Sequence, residues 1–273
     1  RDDLAAHLVR AVGEPERRFE EDALRILRLY RFAARFGFAI DLATGAAARA
    51  LGPHLDCVSA ERIQEELLKL LAAPRPGSYL EPAVLAVVLP ELEPEEQPER
   101  FAELCRTIDR IEPTAENVPA RLAALLCPLG EAGARKALRK LKCSNALTDE
   151  VTALEREAPG TPGSEMQLTA KRLLGRYELP TIQRLTALCS ARHPEQAETF
   201  AALRAEAERL TAENACCRVS QLAVNGRDLM AAGVRPGPGL RQVLNALLEA
   251  VITGQTPNEK DALLAAAAQF SAS

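Results

Sequence analysis

The sequence predicts an all-α protein, an elongated array of helical modules. Three observations carry that expectation. Ala, Leu, Glu and Arg, all strong helix formers, abound. Aromatic residues make up 4% of the chain and Trp is absent. No stretch alternates apolar and polar residues with the period of a strand, and runs of β-branched residues are few. With 273 residues, 47% hydrophobic and 26% charged, the chain is globular and long enough for more than one packed unit.

Punctuation residues set the order of the elements. GEPERRF (13–19) reads as a turn, and a helix is expected from Glu20 to Phe36, with Gly37 as its C-terminal cap. An Ala-rich helix starting at Thr44 stops near Gly52 and Pro53. Ser59 is placed to cap the helix SAERIQEELLKLL, which Pro74, Pro76 and Gly77 terminate. A short helix around 80–89 leads into PELEPEEQPER (90–100), a boundary or exposed connection rich in Pro and Glu. Helices are expected at 101–112, 118–127 and 133–142. A loop of Pro, Gly and Ser follows at 158–164, then helices at 165–176, 180–191, 194–213 and 257–270. There is no solenoid-type repeat.

Composition narrows the function classes. No apolar run reaches the length of a membrane span and RDDLAAHLVR lacks the layout of a signal peptide, so a cytoplasmic protein without a membrane partner is expected. Cys57, Cys105, Cys127, Cys143, Cys189, Cys216 and Cys217 form no CxxC pair, and His7, His54 and His193 lie apart from them. Reduced, mostly buried thiols are expected, and no metal site. A net charge of −4 and a pI near 5.6 argue against binding nucleic acid through overall charge. A local basic track stays open.

The segment EEDALRILRLYRFAARFGF (20–38) places Asp22, Arg25, Arg28 and Arg31 at intervals of three, with Arg35 following. Apolar residues occupy most of the helix circumference, which predicts burial on several faces, so interleaved arginines must snorkel, pair with carboxylates or meet a ligand. Two readings fit. Glu20, Glu21 and Asp22 could pair with the arginines at helical spacing. Alternatively, Asp22 and Arg25 supply an acceptor and a forked donor for the edge of a base, while Arg28 and Arg31 face phosphates.

RFEEDALRILRLYRFAARFGFAI resembles the start of the neck domain of class II tRNA nucleotidyltransferases, the CCA-adding enzymes, and of related bacterial poly(A) polymerases. The E-D-x-x-R signature of that family falls on Asp22 and Arg25, which the resemblance makes the readers of incoming CTP or ATP. Arg28 and Arg31 resemble further arginines around the nucleotide. RDDLAAHLVRAVGEPE is similar to the flexible link between head and neck. CVSAERIQEELLKLL is similar to a later neck motif in which Glu61, Arg62 and Glu66 would brace the reading helix. VPARLAALL with LRKLKCSN resembles the body, and LAVNGRDLMAAGVRPGPGLRQVLNALLEAVITGQTPNEKDALL the tail of the Firmicutes-type enzymes.

The resemblance implies four segments: 1–19, the end of the head and its link; 20–95, the base-reading neck; 96–195, the body; and 196–273, the tRNA-binding tail. The family's catalytic carboxylates, which hold Mg²⁺, come from a DxD motif in an N-terminal head, beside a glycine loop that cradles the triphosphate, and neither motif appears here. The chain is therefore expected to be the part that reads nucleotides and holds tRNA, inactive in transfer by itself. Arg135, Lys136, Arg139, Lys140 and Lys142 crowd one segment, where i,i+4 repulsion makes either an RNA phosphate track or a solvated face reasonable. GVRPGPGLRQVL (233–244) offers a helix N-terminus to phosphate, or a plain connection; Arg241 stands where the family often has Gly. Poly(A) addition and a non-catalytic RNA-binding module are the alternatives to CCA addition.

Overall fold

The computed structural model describes residues 2–158 and 165–270. The helices are α1 (Asp2–Ala5), α2 (Pro15–Glu21), α3 (Leu24–Phe36), α4 (Leu42–Ala50), α5 (Ala60–Leu71), α6 (Pro82–Val88), α7 (Pro98–Arg110) and α8 (Val118–Leu126). They continue with α9 (Gly130–Lys140), α10 (Asn145–Glu157), α11 (Met166–Arg176), α12 (Leu179–Arg192), α13 (Ala197–Ala212), α14 (Gly226–Ala231), α15 (Pro238–Ile252) and α16 (Lys260–Phe270). Among the described residues the sheet content is one parallel pair, β1 (Leu8–Val9) with β2 (Ala39–Ile40). No described helix is long and apolar enough to cross a membrane. The all-α expectation holds, and two compact units emerge. One comprises the described residues of Arg1–Gly160 and Ala187–Ala197, the other those of Thr161–Thr186 and Glu198–Ser273.

Several local expectations change. The helix expected from Glu20 to Phe36 is two helices broken at Asp22, whose backbone is extended (φ −154°, ψ 100°). Asp22 Oδ1 accepts from the Leu24 N–H at 3.2 Å, a local bond that competes with helix continuation. The stretch read as turn and link carries regular structure, since Pro15 opens α2 and β1 pairs with β2. Helix α4 starts at Leu42, ahead of Thr44, and Asp41 caps it, accepting from the Thr44 N–H at 3.0 Å. Ser59 precedes α5 with no side-chain cap bond. Helix α10 had no place in the expected order, although Ser144 caps it by accepting from the Leu147 N–H at 3.2 Å. The loop expected at 158–164 falls, beyond Ala158, outside the described residues. Gly37 does cap α3, with φ 65°.

In the first unit α3 packs on α5, and α8 is buried from Ala120 to Leu126. That stretch includes Arg121, which is fully buried. Its guanidinium donates to the carbonyls of Leu71 (2.6 Å), Ala73 (2.5 Å) and Ile111 (2.5 and 3.1 Å), and more distantly to Pro74. Those carbonyls close α5 and α7, where helix ends present unpaired oxygens and partial negative charge. Gly77 completes the joint. A Cβ there would overlap the Cys105 carbonyl, and the Gly77 N–H donates to Asp109 Oδ1 at 2.7 Å.

The second unit closes over Leu229, Val243, Leu247 and Leu263 from α14, α15 and α16. Asn225 and Asp228 form a reciprocal cap on α14, and Lys260 pairs with Asp228 at 2.6 Å. The thiols are less buried than expected: Cys189 and Cys217 are buried, Cys57 is exposed and the other four are intermediate. Burial pushes the Cys105 thiol up to about 12 and those of Cys143 and Cys189 up to about 11.

Arg121→Met keeps an unbranched apolar stem and deletes every donor, leaving several carbonyls buried without partners at about 1–3 kcal/mol each. We expect at least about 3 kcal/mol lost in urea unfolding of the first unit, with Arg121→Lys recovering only part of it.

Candidate functional site

Asp22, in the break before α3, and Arg25, Arg28 and Arg31 along it face charged residues of α5 and α2. Glu66, on α5, is 3% exposed. Its Oε1 accepts from Arg28 Nε at 3.3 Å and its Oε2 from Arg31 Nε at 2.6 Å. Arg31 is nearly enclosed, its side chain 13% exposed, while Arg28 reaches solvent at 47%. A buried carboxylate needs such partners, and here two cations share one anion, leaving a net positive charge on the α3 surface.

Asp22, in the break before α3, pairs with Arg62 on α5. Arg62 Nη2 donates to Asp22 Oδ2 at 3.0 Å and to Oδ1 at 3.3 Å. With the Leu24 N–H already on Oδ1, the carboxylate is oriented from two sides. Arg25 Nη1 donates to Glu21 Oε2 at 2.5 Å and to the Arg18 carbonyl at 3.0 Å. These bonds, with Arg18 beside them, hold the Glu21 carboxyl below the usual carboxylate range. The other Arg25 nitrogens remain open to a ligand. Pairing at i,i+4 therefore occurs for Arg25, whereas Arg28 and Arg31 look across to α5 rather than back along their own segment. Glu61 is exposed and makes no hydrogen bond or ion pair among the described residues.

The basic segment of α9 is partly engaged. Arg135 pairs with Asp149 at 3.1 Å and donates to Thr152 Oγ1 at 2.8 Å; Lys140 lies 3.8 Å from Glu91. Lys136 and Arg139 are exposed with no ion pair among the described residues, and Lys142 follows at φ 58°. In the second unit Arg241 is exposed on the first turn of α15, which Gly237 (φ 129°) and Pro238 open. Sequence reasoning missed Arg18, which shares Glu21 with Arg25; the i,i+3 spacing to Glu21 was its signal.

Comparison with known proteins places this architecture. A family model described as tRNA nucleotidyltransferase domain 2, putative, matches residues 114–267, and one described as probable RNA and SrmB-binding site of polymerase A matches residues 37–95. An all-helical nucleotidyltransferase segment is the class that this fold defines. The chain belongs to the tRNA nucleotidyltransferase domain 2 family. It is similar to the CCA-adding enzyme of Lactiplantibacillus plantarum, 31% identical over 268 residues that cover 96% of this chain and 63% of that protein. The CCA-adding enzyme of Geobacillus stearothermophilus is 31% identical over 277 residues, covering 97% and 64%. The chain thus spans under two thirds of the length of these relatives.

Among solved structures, the Bacillus stearothermophilus CCA-adding enzyme in complex with CTP is 28% identical, with a TM-score of 0.78 over 98% of this chain and 66% of that one. A Thermotoga maritima CCA-adding enzyme complexed with tRNA shares the fold at 19% identity and a TM-score of 0.62.

Glu66→Ala leaves the enclosed Arg31 without a counter-charge, a change that costs about 3–5 kcal/mol at buried pairs. Arg62→Ala removes a half-exposed partner and is expected to cost about 1 kcal/mol or less. Urea unfolding of the two variants side by side checks the ranking.

Proposed function

We propose that this chain is the base-reading and tRNA-holding part of a CCA-adding tRNA nucleotidyltransferase that uses CTP and ATP. The observation that carries the reading is the fixed carboxylate of Asp22, one turn before Arg25, in a chain 28% identical to an enzyme solved with CTP. Cytosine and adenine share one pattern on their pairing edge: an amino donor beside a ring nitrogen that accepts. An Asp oxygen takes the amino hydrogen and an Arg N–H donates to the ring nitrogen. Uracil and guanine present a carbonyl beside a ring N–H, which sets acceptor against acceptor and donor against donor. Glu66 and Arg62 hold this edge in place from α5, and Arg28 and Arg31 add positive charge for the triphosphate.

Lys136, Arg139 and Arg241, with Arg135 and Lys140 once their present partners exchange, supply cations for tRNA phosphates. Mg²⁺ does not fit the residues present: among the described residues no group of three or more His, Cys, Asp or Glu side chains could hold a metal ion. In this proposal the ion and its carboxylates belong to protein beyond this chain, and the 273 residues alone transfer no nucleotide.

Incubating the intact protein with tRNA lacking its CCA end and all four NTPs tests the reading. Addition that stops after C, C and A supports it; CCA addition by the 273-residue chain alone overturns the division of labour. A second reading, poly(A) addition, is favoured by the match of residues 37–95 to the polymerase A site, and unlimited A addition would establish it over the first. In the intact enzyme Arg25→Ala is expected to lower discrimination against UTP and GTP by about 10–100-fold, the range for one good base contact. Its tRNA affinity, measured by filter binding, should stay within about threefold because the phosphate contacts remain.

A further inference from the structure

The circumference of α3 divides into a buried arc and an open one. At about 100° per residue, Ile26, Leu27, Leu29, Tyr30, Ala33 and Ala34 fall together, and all are buried. Arg25, Arg28, Phe32, Arg35 and Phe36 fall on the remaining arc. Two of the apolar residues that suggested burial on several faces are thus in the open: Phe32 is 38% exposed and Phe36 55%.

These rings form an ordered row. Phe32 and Phe36 lie 6.2 Å apart with planes 3° from parallel, Phe36 sits 5.6 Å from Phe38, and Phe38 stacks on His7 at 5.0 Å. The Arg31 guanidinium lies over the Phe32 ring at 4.0 Å, and Arg35, between the two exposed rings in sequence, makes no ion pair among the described residues. A guanidinium on Phe32 and an unpaired arginine between the two exposed rings make a face that suits flat bases strung on an anionic backbone, which is single-stranded nucleic acid.

We infer that Phe32 and Phe36, flanked by Arg28 and Arg35, are a stacking track for the unpaired 3′ nucleotides of an RNA. The inference rests on the RNA-processing role proposed above and adds to it the place of the strand. Phe32 and Phe36 lie about 10 Å and 16 Å along the helix from Arg25. At about 3.4 Å per stacked nucleotide, a strand ending near the base-reading pair carries its last three to five nucleotides across the rings.

The test uses the 273-residue chain, a fluorescent short RNA ending in unpaired ACC, and tRNA with and without its unpaired end. The paired substitution Phe32→Leu/Phe36→Leu keeps apolar bulk and removes the π faces, while Phe32→Tyr/Phe36→Tyr keeps both. We expect the Leu pair to weaken binding of the short RNA by about tenfold or more, and the Tyr pair by no more than about twofold. Both pairs should leave the melting temperature and the binding of tRNA lacking the unpaired end unchanged. Short-RNA binding by the Leu pair equal to that of the unaltered chain overturns the inference, and leaves the face as a contact for another polypeptide. If the unaltered chain binds no tRNA at all, the RNA partner itself is refuted. If it binds tRNA and the Leu pair loses nothing, only the stacking track falls.

Discussion

A carboxylate enclosed between two arginines sets the geometry of the α3 face of the first unit. At 3% exposure the Glu66 carboxylate needs polar partners, and its two oxygens fix the Nε atoms of Arg28 and Arg31 one turn apart on α3. Because the bonds run between helices, they set the rotation of α3 about its own axis against α5. Everything else on α3 follows from that rotation: Arg25 points away from the core, Tyr30 and Ala33 point into it, and the two outer phenylalanines meet solvent. Arg62, one turn before Glu66 on α5, reaches Asp22 from the same registration.

The acidic total charge conceals how the charges are used. Glu21, Glu65, Glu103, Glu131, Glu206 and Glu208 are each held below the usual carboxylate range, chiefly by a neighbouring Arg or Lys. Most of these pairs are exposed and contribute little to stability. Elsewhere Arg35, Lys136, Arg139 and Arg241 make no ion pair among the described residues, in a chain whose net charge is −4. Sign and position, not the sum, decide what such a surface attracts.

The helical class was legible because propensity and period agree along most of the chain. Breaks and joints were less so. The interruption at Asp22 depends on a side-chain oxygen outcompeting a backbone carbonyl, a local choice that the apolar period does not register. Helix α10 carried an ordinary Ser cap but stood beside the basic run that drew the reading away from it. Of the site, Glu66 and Arg62 were singled out only through resemblance, and the fold adds their bonds to Arg28, Arg31 and Asp22. Phe32 and Phe36 read as core because a period alone does not show where a neighbouring element is missing. Nothing in the sequence marked Arg121, whose partners are carbonyls up to 50 residues away.

Arg121 has a further consequence. Its bonds join a fixed charge to peptide dipoles in a place without solvent, so dissolved ions have no route to screen them, and guanidinium does not titrate in the range where proteins work. Asp22–Arg62 and Arg25–Glu21 lie in the ionic atmosphere and weaken as it thickens. Raising salt would therefore loosen the N-terminal end of α3 long before it reached the joint that closes α5 and α7: the same molecule is soft to electrolyte at one point and deaf to it at another.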